Sequence, residues 1–240
     1  YSALYHTMLS PIIYEDVDGA VLFGSWTNGL VKYNGISFEK VDESGGLKGN
    51  HIECLFADEE GLIWIGTQSN GVQLLEGLEF VFYSKDHGLP DENVRGLALD
   101  TEDDLWITSL GGVSKLSTGK IDTTFVIPGI SNRFGPIVAF GEDMLIGSYN
   151  GELVTISPDY QIQVHRDENL MSQEIISLEN YKGGVLIGSL NSGLYFFNGI
   201  TTTRMDKNEE LENKQIWTLK LREGKVYIGT DNGLAVMDEG

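Results

Sequence analysis

A short apolar segment that ends in a glycine turn recurs six times along this chain of 240 residues. The copies read VLFGSWTNGL (21–30), IWIGTQSNGV (63–72), LWITSLGGV (105–113), LIGSYNGEL (145–153), VLIGSLNSGL (185–194) and VYIGTDNGL (226–234). A fixed period of this kind restricts the chain to an architecture built from one repeated unit. The position of Gly24 recurs at intervals of 42, 42, 39, 41 and 41 residues, at Gly66, Thr108, Gly147, Gly188 and Gly229.

Each repeat contains four short apolar runs that turn residues separate. In the second repeat the runs are Ile52 to Ala57, Leu62 to Thr67, Val72 to Leu75 and Phe80 to Tyr83. Such runs predict short antiparallel strands, and because they are nearly continuous we expect both faces of each sheet to be covered. Units of four strands with a period near 41 residues are typical of propeller blades. The sequence therefore predicts an all-β, six-bladed β-propeller with four antiparallel strands per blade.

The two ends of the chain predict how the last blade is completed. An apolar run at residues 3–8 would supply a fourth strand to the three strands expected in residues 215–238. This 3+1 pairing would remove an exposed sheet edge. The prediction is one propeller domain over residues 1–240, and part of a seven-bladed propeller is the alternative. The expected blades are residues 11–43, 51–84, 93–127, 136–166, 174–205 and 215–238 with strand 3–8.

Composition limits the partners that this chain can have. The net charge is −20, from 16 basic and 36 acidic residues, which argues against nucleic acid and anionic membranes because both require basic patches. No run of 18 apolar residues occurs, so we expect no membrane insertion of this segment. Cys54 is the single cysteine, and we expect it to be a small buried hydrophobic residue. No cofactor is expected.

The second and third repeats share a longer motif. The second carries Gly46-Leu47, Asn50, Ile52, Asp58, Gly61, Ile63 to Thr67 and Gly71-Val72, and the third carries Gly88-Leu89, Asn93-Val94, Leu105 to Thr108 and Gly112-Val113. These residues resemble the two-component regulator propeller repeat, with its G-L-x-x-N-x-V/I, D-x-x-G-x-L/I-W-I-G-T and x-x-G-L/V segments. The other four repeats keep the strand and the glycine turn but lose the tryptophan.

The resemblance implies a sensor role. Repeats of this family form the extracytoplasmic sensor part of membrane histidine kinases, often hybrid kinases of polysaccharide-degrading bacteria. It therefore implies a periplasmic or extracytoplasmic location and, at the level of the family, an oligosaccharide or other small molecule as ligand. A protein partner or self-association stays open. Such sensors usually contain more repeats, with two propellers and a sandwich domain, whereas this chain has six repeats.

The candidate binding residues lie in loops at one end of the blades. In a propeller, the loop that enters the first strand and the loop between strands two and three open on the same face. Binding residues concentrate in loops on a rigid scaffold. Exposed rings and a guanidinium can stack on a sugar or an aromatic ligand and form hydrogen bonds with it; ordinary loop side chains are the competing interpretation. The expected ligand-binding residues are Trp26, His51, Arg95, Arg133, Phe134, Tyr149 and Trp217.

The sequence offers no catalytic motif. The four histidines fall on different repeats without H-E-x-x-H spacing, and G-x-S-x-G is absent. The acidic turns at residues 16–19, 58–61 and 100–104 lack the spaced oxygen ligands of a calcium loop, so no metal is expected. Trp64 and Trp106 occupy equivalent positions and are expected to pack between blades. We therefore expect a segment that is not an enzyme. A propeller enzyme of the streptogramin lyase type and a protein-interaction scaffold are the alternatives.

Overall fold

The computed structural model describes residues 12–15, 20–58, 60–76, 79–190, 192–205 and 215–238. These residues form 23 β-strands and two short 3-10 helices, Glu43–Gly45 and Lys85–His87. The strands are arranged in six antiparallel sheets, and in each sheet consecutive strands of the chain are neighbours. The strand expected at residues 3–8 and the acidic turn at residues 16–19 lie outside the described residues.

The first three sheets belong to one compact unit, unit 1, within residues 1–99 and 103–126. Blade 1 contains β1 (Ile12–Glu15), β2 (Val21–Ser25), β3 (Gly29–Tyr33) and β4 (Phe38–Val41). Blade 2 contains β5 (Ile52–Ala57), β6 (Ile63–Thr67), β7 (Val72–Glu76) and β8 (Glu79–Tyr83). Blade 3 contains β9 (Val94–Leu99), β10 (Leu105–Ser109), β11 (Gly112–Ser117) and β12 (Lys120–Phe125).

The other three sheets belong to unit 2, within residues 100–102 and 127–240. Blade 4 contains β13 (Phe134–Phe140), β14 (Asp143–Ser148), β15 (Leu153–Ile156) and β16 (Ile162–His165). Blade 5 contains β17 (Ile175–Tyr181), β18 (Gly184–Ser189), β19 (Gly193–Phe197) and β20 (Thr202–Arg204). Blade 6 contains β21 (Ile216–Arg222), β22 (Lys225–Thr230) and β23 (Gly233–Asp238). The predicted all-β, six-bladed propeller fold is confirmed, with three described strands in blade 6.

The second strands of blades 2 and 3 form the buried centres of their sheets. Every residue of β6 and β10 is buried, which confirms that both faces of these strands are covered. Trp64 and Trp106 are 9% and 2% exposed, so they are packing residues as expected. Trp106 stacks on Phe125 of its own blade with ring centroids 5.6 Å apart.

In blades 2, 4 and 5 the recurring glycine leaves room for a β-branched residue of the next blade. A Cβ atom on Gly66 would lie 2.8 Å from Val94 Cγ1, and one on Gly188 would lie 2.7 Å from Ile216 Cγ2. Gly147 meets Ile175 of the next blade in the same way. Since β-branched side chains have little rotamer freedom, the neighbour cannot turn aside.

Thr108 stands where the other repeats have glycine, and the register explains the exception. In blades 2, 5 and 6 the glycine pairs with a residue that has a side chain, as in Cys54↔Gly66 and Ser177↔Gly188. In blade 3 the pair is inverted, because Thr108 pairs with Gly96. The Thr108 hydroxyl donates a hydrogen bond to the Gly96 carbonyl at 3.4 Å. One partner of the pair is a glycine in each case. The glycine lies on the second strand in blades 2, 5 and 6 and on the first strand in blade 3.

His165 in unit 2 links folding stability to pH. Its ring lies edge-on to Phe197 with centroids 5.2 Å apart, and Nε2 is 3.2 Å from Thr155 Oγ1. Burial lowers the pKa of His165 below its ordinary value of 6.5. Because the unfolded chain then binds the proton more readily than the folded one, this contribution to stability is fully present above about pH 6.5 and decreases as pH falls toward the lowered pKa.

We expect the free energy of unfolding to fall between pH 7 and pH 5 and this slope to be smaller in His165→Gln. Chemical denaturation at several pH values measures the difference. The buried-histidine account is wrong if the wild-type and variant curves stay parallel over this range. A hydrogen bond from Ser44 is the chief cause of the lowered pKa of Asp42. Desolvation raises the pKa of Asp167, but hydrogen bonds from Thr202 and Asn169 outweigh it and leave that pKa lowered. Both carboxyl groups therefore affect the stability at a lower pH than His165 does.

Candidate functional site

The two predicted sets of loops meet at the same end of each blade from 2 to 6. In blade 2, the Gln68 N–H after β6 donates to the His51 carbonyl before β5 at 3.1 Å. The same bond recurs in the later blades, so the shared location of the loops holds within each blade. The other donor–acceptor pairs are Leu110→Asn93, Tyr149→Arg133, Leu190→Glu174 and Asp231→Gln215.

A β-bulge follows directly in the first strand of these blades. In β5, Ile52 pairs with Thr67 and Cys54 pairs with Gly66, so Glu53 has no partner across the ladder. Arg95, Ile176 and Trp217 occupy the same position in blades 3, 5 and 6. In blade 4 the register shifts between Phe134 and Ile137. Bulges turn a side chain out of the regular alternation of a strand. The bulged position therefore has its own direction in each blade, and a different residue type occupies it from blade to blade.

Glu53 joins two of the predicted residues in unit 1. Its Oε1 lies 3.0 Å from His51 Nε2, and its Oε2 accepts a hydrogen bond from Arg95 Nη1 at 2.7 Å. The Glu53 side chain is 6% exposed, whereas those of His51 and Arg95 are 29% and 22% exposed. The arrangement therefore places a buried carboxylate below a guanidinium and an imidazole that both reach the surface.

Trp26 completes this cluster from the neighbouring blade. Its ring stacks on the His51 ring with centroids 5.6 Å apart and an interplanar angle of 24°. Its Nε1 is buried and has no hydrogen-bond partner among the described residues. The loop that carries it is anchored, because Gly29 N donates to the Asn50 carbonyl at 2.9 Å and Asn28 N donates to Ser25 Oγ at 2.7 Å. We call Trp26, His51, Glu53 and Arg95 the unit 1 cluster.

The unit 1 cluster combines groups that suit a polar, uncharged ligand with a ring. The Glu53 carboxylate is already matched by the Arg95 guanidinium, so the pair is close to neutral. Each carboxylate oxygen has a further lone pair, and an indole N–H donates only. Hydroxyl groups can satisfy both kinds of site, and an apolar ring face can pack on an aromatic side chain.

The predicted residues of unit 2 separate into two groups. The exposed Arg133 guanidinium lies 5.5 Å from the centroid of the half-buried Tyr149 ring. Trp217 is half-buried in the bulge of β21, and its Nε1 has no hydrogen-bond partner among the described residues. Phe134 corrects the prediction, because it is fully buried and cannot contact a ligand. It pairs with Ser148 at the start of β13. This is the position just before the bulge, and its side chain is buried in every blade from 2 to 6.

Sequence reasoning missed Glu53. Glu53 lies inside an apolar run that is expected to be covered on both faces, and the bulge that sets its side chain apart has no signature in that run. A signal was nevertheless present, because Glu53 and Arg95 are 42 residues apart and stand at the same position of adjacent repeats with opposite charge. Opposite charges one repeat apart predict an ion pair between neighbouring blades.

The described residues contain no group of three or more His, Cys, Asp or Glu side chains placed to hold a metal ion. Burial raises the pKa of the Cys54 thiol well above its ordinary value, so this thiol is protonated at neutral pH.

The second repeat matches a known family. Residues 46–69 match the family described as two component regulator propeller. Comparison with curated protein sequences gives no match.

The fold is shared with solved structures. The extracellular domain of one protein assigned as a hybrid two-component system from B. thetaiotaomicron has a TM-score of 0.78 at 21% identity, over 94% of this chain and 33% of that chain. A second such domain from the same organism has a TM-score of 0.75 at 23% identity, over 95% of this chain and 31% of that chain. A virginiamycin B lyase from Staphylococcus aureus has a TM-score of 0.72 at 11% identity, over 97% of this chain and 87% of that chain.

At these identities the likeness establishes the fold alone, and the chain spans about a third of the two extracellular domains. The resemblance read from the motif of the second repeat is confirmed: this propeller carries a two-component regulator propeller repeat at residues 46–69.

Proposed function

We propose that this propeller is the ligand-binding sensor module of a two-component system and that it binds its ligand at the unit 1 cluster. The observation that carries the proposal is the convergence of His51 and Arg95 on the buried Glu53 carboxylate, beside the stacked Trp26 ring. A buried carboxylate in the bulge of β5 that requires two partners adds little to stability, since desolvation offsets much of the attraction. A cluster of this kind is better explained by recognition.

The same proposal includes an extracytoplasmic location and a role in binding rather than catalysis. The two similar B. thetaiotaomicron structures are extracellular domains of hybrid two-component systems. None of the helices in the described part of the chain is long and apolar enough to cross a membrane. The protonated Cys54 thiol is unsuited to act as a nucleophile.

An oligosaccharide is the ligand class that we propose. Its hydroxyl groups can donate to the free lone pairs of Glu53 and accept from the Trp26 indole N–H. The apolar face of a pyranose ring can pack on the exposed part of the Trp26 ring. A strongly charged ligand fits less well, because the Glu53–Arg95 pair is already neutralised.

Thermal unfolding with a panel of neutral oligosaccharides tests this proposal. A sugar present at about 100 times its dissociation constant should add about 2.7 kcal/mol to the unfolding free energy. For a domain of this size that corresponds to a rise in Tm of about 5–10 °C.

Variants locate the effect. Trp26→Ala and Glu53→Gln should each abolish or strongly reduce the sugar-induced rise in Tm, because the first removes the stacking surface and the second removes the charge on the acceptor. Ile36→Ala, at a residue that is 93% exposed, and Trp217→Ala in unit 2 are the controls and should keep the rise. No rise with any sugar contradicts the proposed ligand class, and a rise that only Trp217→Ala abolishes contradicts the proposed site.

A further inference from the structure

A cavity of about 360 Å³ lies in unit 1 at the end of the blades opposite to the unit 1 cluster. The turns between β5 and β6, between β9 and β10 and between β11 and β12 surround it. Its size falls in the range of small-molecule sites, about 300–1,000 Å³. The apolar side chains that line it are Leu62, Trp64, Leu99, Leu105 and Leu116.

The polar lining of this cavity is acidic. Its carboxylates come from Asp58, Glu60, Asp103 and Asp104. Asp58 serves the fold, because it accepts hydrogen bonds from the backbone of Glu60 and Leu62 and, at 3.0 Å, from Trp64 Nε1. Glu60 and Asp103 are exposed, and no described residue forms an ion pair with either carboxylate. Two carboxylates at the rim are therefore available to a ligand.

Blade 3 contains a buried lysine side chain beside a tryptophan and a carboxylate. Lys115 Nζ lies 2.9 Å from Asp104 Oδ2 and 5.7 Å from the centroid of the Trp106 ring, and its side chain is 8% exposed. Lys115 pairs with Trp106 across the sheet, whereas in blade 2 the apolar Leu74 pairs with Trp64. Blade 3 thus supplies its own ammonium group and alkyl chain beside a tryptophan and a carboxylate, and blade 2 does not.

We propose that this cavity binds a linear alkylamine, with the ammonium group between the Glu60 and Asp103 carboxylates and the alkyl chain against Trp64 and the leucines. The side chain of Lys115 is the internal example of such a ligand. Its charge compensates only one of the four lining carboxylates, so a further cation is favoured electrostatically. The alkyl chain removes apolar surface from water at the same time. This site is separate from the unit 1 cluster and does not depend on the proposed function.

Titration with 1,5-diaminopentane tests the inference, with 1,5-pentanediol as the neutral compound of equal length and sodium chloride at matched ionic strength. The ¹H–¹⁵N signal of the Trp64 indole is the measured quantity, and Trp64→Phe assigns it. We expect a saturable shift with the diamine alone. The double variant Glu60→Gln/Asp103→Asn should weaken binding about tenfold or more, since it removes both unpaired charges.

The matched control is Asp122→Asn/Glu142→Gln, which removes two exposed carboxylates elsewhere and should bind the diamine as the wild type does. Equal binding by the double variant of Glu60 and Asp103, an equal response to the diol, or a shift that never saturates would each overturn the proposal. Because the probe and the signal differ from those of the sugar experiment, each proposal can fail without the other.

Discussion

Gly147→Ala should destabilise unit 2 by about 1–3 kcal/mol, because over-packing a filled core forces neighbouring side chains out of their rotamers. The added methyl group would meet Ile175 of the next blade, whose Cβ lies 2.9 Å from the position of the new atom. Ile175 is fully buried and β-branched, so it cannot move away without cost. Chemical denaturation measures the change, and a fall in Tm of about 2–12 °C should accompany it.

Gly45→Ala is the control for this prediction. A Cβ on Gly45 has its nearest neighbour, Val41 Cγ1, at 3.5 Å, which is an ordinary contact. We expect a change of less than about 0.5 kcal/mol, as for a surface substitution. If the two variants prove equally stable, the recurring glycine does not serve close approach of the next blade.

Gln73→Leu should destabilise unit 1 by about 2–4 kcal/mol, because it leaves two backbone groups of the Lys48 peptide without partners. Gln73 is fully buried and holds the loop before β5 with two hydrogen bonds of 2.7 Å, one from Lys48 N and one to the Lys48 carbonyl. The loop carries Leu47 into the core, where that side chain is 2% exposed. Denaturation measures the stability, and hydrogen exchange at the Lys48 amide should become faster.

Gln163→Leu provides the comparison, since Gln163 is an exposed strand residue of β16. Its substitution should leave the stability within about 0.5 kcal/mol of the wild type. An unchanged exchange rate at Lys48 in Gln73→Leu would show that the loop does not depend on the glutamine.

The fold could be predicted from the sequence because its evidence is repeated. Every blade contains similar apolar runs and turn residues. The strands of an irregular blade can therefore be predicted by aligning it with the regular ones. Trp64 and Trp106 were correctly assigned to packing for this reason. The inverted pair of Thr108 and Gly96 could not be foreseen, because it requires the register of the two strands.

The site was predicted less well than the fold. Trp26, His51 and Arg95 were expected near one end of the blades, and the structure brings them together in unit 1. Glu53 was missing from the expected residues and Phe134 was among them, because the bulge decides which residue of the first strand is buried. A one-residue shift of this kind reverses the facing of a strand residue, and no simple alternation in the sequence reveals it.

The most direct test of the binding site is a ¹H–¹⁵N titration of the protein with the neutral oligosaccharide that raises the Tm most. The account predicts that the largest shifts occur at the Trp26 indole N–H and at the backbone amides of His51, Glu53 and Arg95, and that they saturate together. Shifts confined to unit 2, or to the turns around the acidic cavity, would contradict the assignment of the ligand site to the unit 1 cluster.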